Sequence, residues 1–197
     1  MAEPAAKRMT LDEFLSWDDG SDRRYELWGG VVTAMAPPMP LHGRLVSRLI
    51  TALSNALRGR AACDVYSEAG VGRPDRNDTF YVADIAVSCE TLSADDRLLR
   101  APILIVEVLS PSTSSSDRQL KLADYRSIPS VQELLLIDSQ SMFAEVHRRD
   151  GDHWIMEILR GRGATLALSS VPVTISMSEL YNGIPLPEKP DPSVGMR

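Results

Sequence analysis

The run Ile103-Leu-Ile-Val-Glu-Val-Leu109 constrains the fold more than any other segment, because it is apolar at odd and even positions alike and stops at Ser110-Pro111. Side chains alternate across a strand, so a strand apolar on both sides must be covered on both sides. That predicts the central strand of a sheet with structure packed over each face. The same run carries one carboxylate, Glu107, at its heart. Burying an ionised acid is costly unless it meets a cation, a hydrogen-bonding partner or solvent. A second run, Tyr81-Val-Ala-Asp-Ile-Ala-Val87, repeats the arrangement with Asp84, which alternation places on the face of Val82 and Ala86.

The elements around these two strands define an α/β (α+β) chain. Thr10 with Glu13 three residues on is a capping-box signal for a short helix over 11–17. Arg24 to Trp28 and Val31 to Met35 flank Gly29-Gly30, which predicts an N-terminal β-hairpin. Pro37, Pro38 and Pro40 predict an extended connection. The clearest helix spans about 41–60, with Val46, Leu49, Ile50, Leu53 and Leu57 on its buried stripe. Short strands are expected at 65–67 and 69–72. A bridge over 112–116 leads to a second helix over 117–128, stopped by Pro129. Further strands are expected at 133–138, 142–148 and 154–159, then a small pair within 165–175 and a helical turn at 178–181. Residues 1–8 read as a loose leader, 9–184 as one domain, and 185–197 as a Pro-rich tail without regular structure.

Composition narrows the setting. The chain has 197 residues and a net charge of −6, which argues against coating nucleic acid by bulk charge but leaves room for a local basic groove. No apolar stretch approaches the roughly 20 residues a membrane span needs, and no secretory signal is visible. Cys63 and Cys89 have neither metal-site spacing nor the look of a disulfide framework, so the expectation is a cytoplasmic protein.

Lysine usage adds a chemical clue. Lys7 and Lys189 lie in the tails, so Lys121 is the single lysine of the expected folded body. Lysine is a compact point charge, unlike the planar fork of arginine. Lys121, Tyr125 and Ile128 are spaced i, i+4 and i+7 on one helical stripe, so Ile128 turns the lysine toward the sheet and its acids. Two acids on neighbouring strands could share one hard divalent cation, and an ammonium beside them could assist an attacking water. The same residues equally permit a buried ion pair that fastens the helix to the sheet.

A series of ordered motifs bears on that choice. They are Thr10-Leu-Asp-Glu-Phe14, Tyr25-Glu-Leu27, Gly30-Val-Val32, Met35-Ala-Pro37, His42, Asp84-Ile85, Val106 to Ser112, Asp117…Lys121…Tyr125, Val131-Gln-Glu133 and Leu136-Ile-Asp138. Together they resemble the Uma family, grouped with restriction endonucleases of the PD-(D/E)XK nuclease superfamily, over about 9–181. The resemblance implies a restriction-endonuclease-like core: a mixed central β-sheet flanked by helices, with Mg²⁺-dependent (or Mn²⁺-dependent) cleavage of DNA.

By position, the resemblance makes Asp84 and Glu107 the metal-binding acids. Lys121 is the catalytic lysine displaced from strand to helix, and Glu26 is an upstream acid near the metal or a water. His42 becomes a candidate phosphate contact. Apart from the resemblance, Arg44, Arg48 and Arg58 fall on one polar side of the long helix, which makes Arg44 and Arg48 candidate nucleic-acid contacts, although such spacing usually marks a solvated face. Two positions depart from the superfamily pattern: Ala83 stands before the aspartate in place of proline, and Leu109 stands where the strand lysine belongs. Activity therefore depends on Lys121 reaching the space that Leu109 leaves. A homodimer is expected, since two sites cut two strands more readily than one. The alternative expectation is a non-catalytic nucleic-acid-binding or protein-interaction module on the same fold.

Overall fold

A computed structural model of the chain describes residues 8–59, 62–110 and 120–186. Four helices lie among them: α1 (Leu11–Ser16), α2 (Pro40–Leu57), α3 (Leu122–Ser127) and α4 (Met177–Leu180). The strands are β1 (Tyr25–Trp28), β2 (Val31–Ala34), β3 (Asp64–Gly72), β4 (Phe80–Ser88) and β5 (Pro102–Leu109), then β6 (Glu133–Asp138), β7 (Phe143–Asp150), β8 (His153–Arg160), β9 (Thr165–Ala167) and β10 (Thr174–Ser176). Eight strands form one mixed sheet in the order β2-β1-β4-β5-β6-β7-β8, with β3 also on β4. β9 and β10 make a separate antiparallel pair.

β5 is central, as its two-sided apolar pattern predicts. It pairs antiparallel with β4 and parallel with β6. A parallel neighbour requires a crossover, and α3 lies on that crossover. The face of β5 carrying Leu104, Val106 and Val108 packs under α2, together with residues from β9 to α4. Ile105, on the other side, packs with Tyr125 and Ile128 of the α3 segment. Both faces are thus covered.

The local signals explain the individual elements. The Thr10–Glu13 capping box closes in both directions on α1. Gly29 and Gly30 take φ of 54° and 83°, the left-handed pair that a two-residue hairpin turn demands. Pro40 does not prolong the extended connection. It opens α2 at the first helical position, where its missing N–H costs nothing. The fully buried row of α2 is Leu45, Leu49, Leu53 and Leu57, with Val46 and Ile50 flanking it in partial burial. The apolar stripe is therefore centred one residue earlier than its sequence pattern suggested. The bridge over 112–116 and the start of the expected second helix lie outside the described residues, as do most of the leader and tail.

Cys63 and Cys89 correct an expectation. They sit one residue beyond the ladder pair Asp64↔Ser88 and form a disulfide, although 26 positions separate them in sequence. The antiparallel β3–β4 register brings them side by side. The inference from free thiols to a reducing compartment is thereby removed. No helix among the described residues is long and apolar enough to cross a membrane.

Candidate active site

The site forms where β4 loses a regular neighbour on one edge. β5 pairs with β4 over Ile85 to Ser88, and β1 meets β4 only at Leu27↔Phe80. In the gap between β1 and β5, carboxylates take over hydrogen bonds that a ladder would otherwise make. Glu26 Oε1 accepts the Val82 N–H at 2.8 Å, and Asp84 Oδ2 accepts the Val108 N–H at 2.7 Å. Such charge-assisted bonds to backbone N–H groups fix the acids in place.

β4 also changes face here. Tyr81 and Ala83 belong to the core beside α3, whereas Ile85 and Val87 belong to the core beneath α2. Strict alternation would keep all four on one face. The exchange occurs at Asp84, which lies between the ladder pairs Ser67↔Ile85 and Ala69↔Ala83 and so faces Glu68 of β3. Glu68 has φ of 51°, the sole positive φ at a non-glycine among the described residues. The break between the two expected strand pieces at 65–67 and 69–72 thus survives as a kink within one strand. The kink frees Asp84 from the simple in-or-out geometry that alternation predicted for it.

Four sequence-predicted residues converge at this gap. Continuing the register Ile85↔Val106 by one step sets Asp84 opposite Glu107. Lys121 precedes α3 with helical backbone angles, and its Nζ lies 2.9 Å from Glu26 Oε1 and 3.6 Å from Glu107 Oε1. Glu26, Glu107 and Lys121 are all at least 95% buried, with 4%, 3% and 5% of their surfaces exposed. The ammonium thus lies against two buried carboxylates, one of them on the central strand. Leu109 is buried in β5.

Neighbouring groups hold these side chains. Tyr125 donates its hydroxyl to Glu107 Oε1 at 2.6 Å, and Trp28 donates its indole N–H to Glu26 Oε2 at 3.0 Å. His42, in the first turn of α2, places Nε2 3.0 Å from Asp84 Oδ2, while its buried Nδ1 has no hydrogen-bond partner. Tyr81 donates to Asp124 of α3, and Arg73 binds the same carboxylate at 2.7 Å, tying the lysine-bearing segment to β4. Burial and the Asp124 charge push the Tyr81 hydroxyl well above its ordinary range. It therefore stays protonated and donating.

The other predicted contacts lie elsewhere. Arg44 donates to the Gly183 carbonyl, and Arg48 to those of Leu180 and Asn182. These guanidinium groups dock the chain around α4 onto α2. Glu133 is buried, pairs with the partly exposed Arg148 and accepts the Ser169 and Ser170 N–H groups, which holds the β9–β10 connection. Tyr125 could have been singled out from sequence because it shares the Lys121 stripe. Trp28 and the Val108 N–H carried no such signal, because their roles depend on which strands meet.

The acids, Lys121 and His42 line one cavity of about 360 Å³, whose other wall runs from Thr33 to Met39. No group of three or more His, Cys, Asp or Glu side chains among the described residues is arranged to hold a metal. Two adjacent carboxylates nevertheless suit Mg²⁺, which commonly takes one or two carboxylates and completes its shell with water and phosphate oxygen. Both protein bonds to Asp84 fall on Oδ2, so the donor set of Asp84 and Glu107 is chemically compatible with such an ion.

A mixed sheet flanked by helices, with acids and a lysine at a split in its centre, defines a restriction-endonuclease-like fold. The chain belongs to the Uma2 family, described as "putative restriction endonuclease", which matches residues 11–179. It is 27% identical over 180 residues to the uncharacterized protein slr1290 of Synechocystis sp. strain PCC 6803, covering 90% of this chain and 93% of that one. A second uncharacterized Synechocystis protein, sll1609, is 27% identical over 172 residues, covering 86% and 97% of the two chains. The crystal structure of a "putative nuclease" from Anabaena variabilis superposes with a TM-score of 0.72 at 20% identity, over 88% of this chain and 97% of that one. That similarity is one of fold.

Proposed function

We propose that the protein is a divalent-metal-dependent nuclease that hydrolyses phosphodiester bonds in DNA. The observation that carries this reading is the buried Lys121 ammonium shared by Glu26 and Glu107, with Asp84 opposite Glu107 in the same cavity. Family membership supports it. Asp84 and Glu107 are the residues that would hold Mg²⁺ or Mn²⁺. Bound there, such an ion supplies Lewis-acid polarisation of the phosphoryl group and activation of water.

The remaining roles belong to the protein's own groups. Glu26 fixes the ammonium, so Lys121 can hold a water or a phosphoryl oxygen without first being ordered. As negative charge grows on the phosphoryl oxygens, that fixed cation offers a charge-assisted hydrogen bond in a site largely screened from water. The Val108 N–H and His42 orient Asp84, and Tyr125 orients Glu107. His42 acts through Asp84, which makes it a positioning residue on this reading. A dimer would bring two such sites to one duplex.

The decisive experiment incubates the protein with supercoiled and linear DNA in Mg²⁺, Mn²⁺ or EDTA, beside Glu107→Gln and Asp84→Asn. Cleavage is expected with the metals only, and neither variant should cut. A folded Glu107→Gln that cuts like the parent would end the assignment. One observation favours a second reading, a binding module without turnover: each of the three carboxylates already accepts a protein hydrogen bond. That reading predicts DNA retention with no metal-dependent product, and no rise in melting temperature with Mn²⁺.

A further inference from the structure

The cavity wall contains an ion pair that the chemistry above does not use. Arg24, just before β1, contacts Glu68 of β3 through its guanidinium, and both residues line the same cavity as Asp84 and Glu107. The Arg24 backbone is pinned by the Met35 N–H, which donates to its carbonyl at 2.9 Å. Glu68 is the positive-φ residue at the kink, held there by the ladder pairs on either side of it. A non-glycine at such a backbone angle beside a site points to a role for its side chain.

Charge decides what that role is. Among the described residues, the lining carries the carboxylates of Glu26, Glu68, Asp84 and Glu107 beside the basic side chains of Arg24 and Lys121. Lys121 is already shared by Glu26 and Glu107. Among the described lining residues, Arg24 is a second cation that can meet a phosphate of the same backbone, and its guanidinium fork suits that partner. The Arg24–Glu68 pair is open to solvent, with side-chain exposures of 40% and 57%, so breaking it costs little.

We propose that Arg24 is a substrate-phosphate contact of this cavity, and that Glu68 is a built-in competitor holding it until a phosphodiester takes its place. The proposal rests on the nuclease reading. It makes Glu68 a selectivity element: weak anions leave the pair closed, whereas a polyanionic backbone opens it.

The test measures the affinity of the full chain for a fluorescein-labelled DNA duplex in EDTA, across a salt series, and KM for cleavage in Mg²⁺. Glu68→Gln should tighten binding about two- to fivefold at low salt, because a closed fraction of that size is released. Glu68→Gly keeps the positive φ and should do the same, which separates loss of charge from loss of fold. Arg24→Gln should weaken binding and flatten the salt dependence by about one phosphate contact. In the Arg24→Gln background, Glu68→Gln should bring no gain. A gain that persists there would show simple repulsion and overturn the competitor role. Unchanged affinity in Glu68→Gln and Glu68→Gly, with the parent still cutting DNA, would overturn this inference alone. A parent that neither binds nor cuts DNA would overturn the nuclease reading and this inference with it.

Discussion

Replacing Lys121 with Met keeps most of the side chain's volume and removes the charge between Glu26 and Glu107. At 2.9 and 3.6 Å those contacts are close enough for strong attraction, and the side chains involved are about 95% buried. With an effective dielectric constant of about 20, each contact is worth roughly 5 kcal/mol before desolvation is counted. Much of that offsets the cost of burying the lysine itself. What remains after removing one partner of a buried pair is typically a loss of about 3–5 kcal/mol, because the surviving carboxylates stay buried without their cation. For a chain of 197 residues this corresponds to a drop of roughly 6–20 °C in melting temperature. Denaturant midpoints of the parent, Lys121→Met, Glu26→Gln and the double variant give the coupling. The double variant should be more stable than the sum of the single changes predicts, by about 0.5–3 kcal/mol. A Lys121→Met loss below about 1 kcal/mol, or strict additivity, would mean that solvent screens this cluster, and the argument for a fixed ammonium would fail.

Three other outcomes follow from the geometry. His147 is buried, and desolvation first, then the nearby Arg126 charge, hold its pKa below the ordinary 6.5, with Glu145 opposing them. An unfolded chain takes up that proton more readily, so the contribution is present above pH 6.5 and is lost as pH falls below it toward the depressed folded value. Urea midpoints should decline over that window in the parent and decline less in His147→Gln; parallel profiles would refute the assignment. A methyl group added at Gly70 would lie 2.5 Å from the Arg97 carbonyl and 2.8 Å from the Phe80 ring, so Gly70→Ala should cost about 3 kcal/mol by denaturant titration. Arg48→Ala removes the bonds to Leu180 and Asn182, so it should lower stability by about 1–3 kcal/mol and leave DNA affinity within about twofold. A tenfold loss of affinity at unchanged stability would instead make Arg48 a phosphate contact.

The sequence by itself determined the elements and much of the candidate site. A strand apolar on both faces had to be central, and β5 lies between β4 and β6. The i, i+4, i+7 stripe turned Lys121 inward beside Tyr125, and a break between two strand-like pieces foreshadowed the kink at Glu68. These features depend on local periodicity and backbone preference, which a linear chain displays directly.

What only the tertiary structure decided was which groups meet across the gap between β1 and β5. The family resemblance marks Glu26 as an upstream acid, but only the loss of β4's regular neighbour gives it the Val82 N–H and the lysine. Arg44 and Arg48 read as candidate nucleic-acid contacts, and the segment around α4, more than 130 residues downstream, engages Nη1 of Arg44 and both Nη atoms of Arg48. Cys63 and Cys89 pair for the same kind of reason, through the β3–β4 register. A polar side chain's role depends on the partner that satisfies it, and that partner is chosen by packing, which local pattern does not encode.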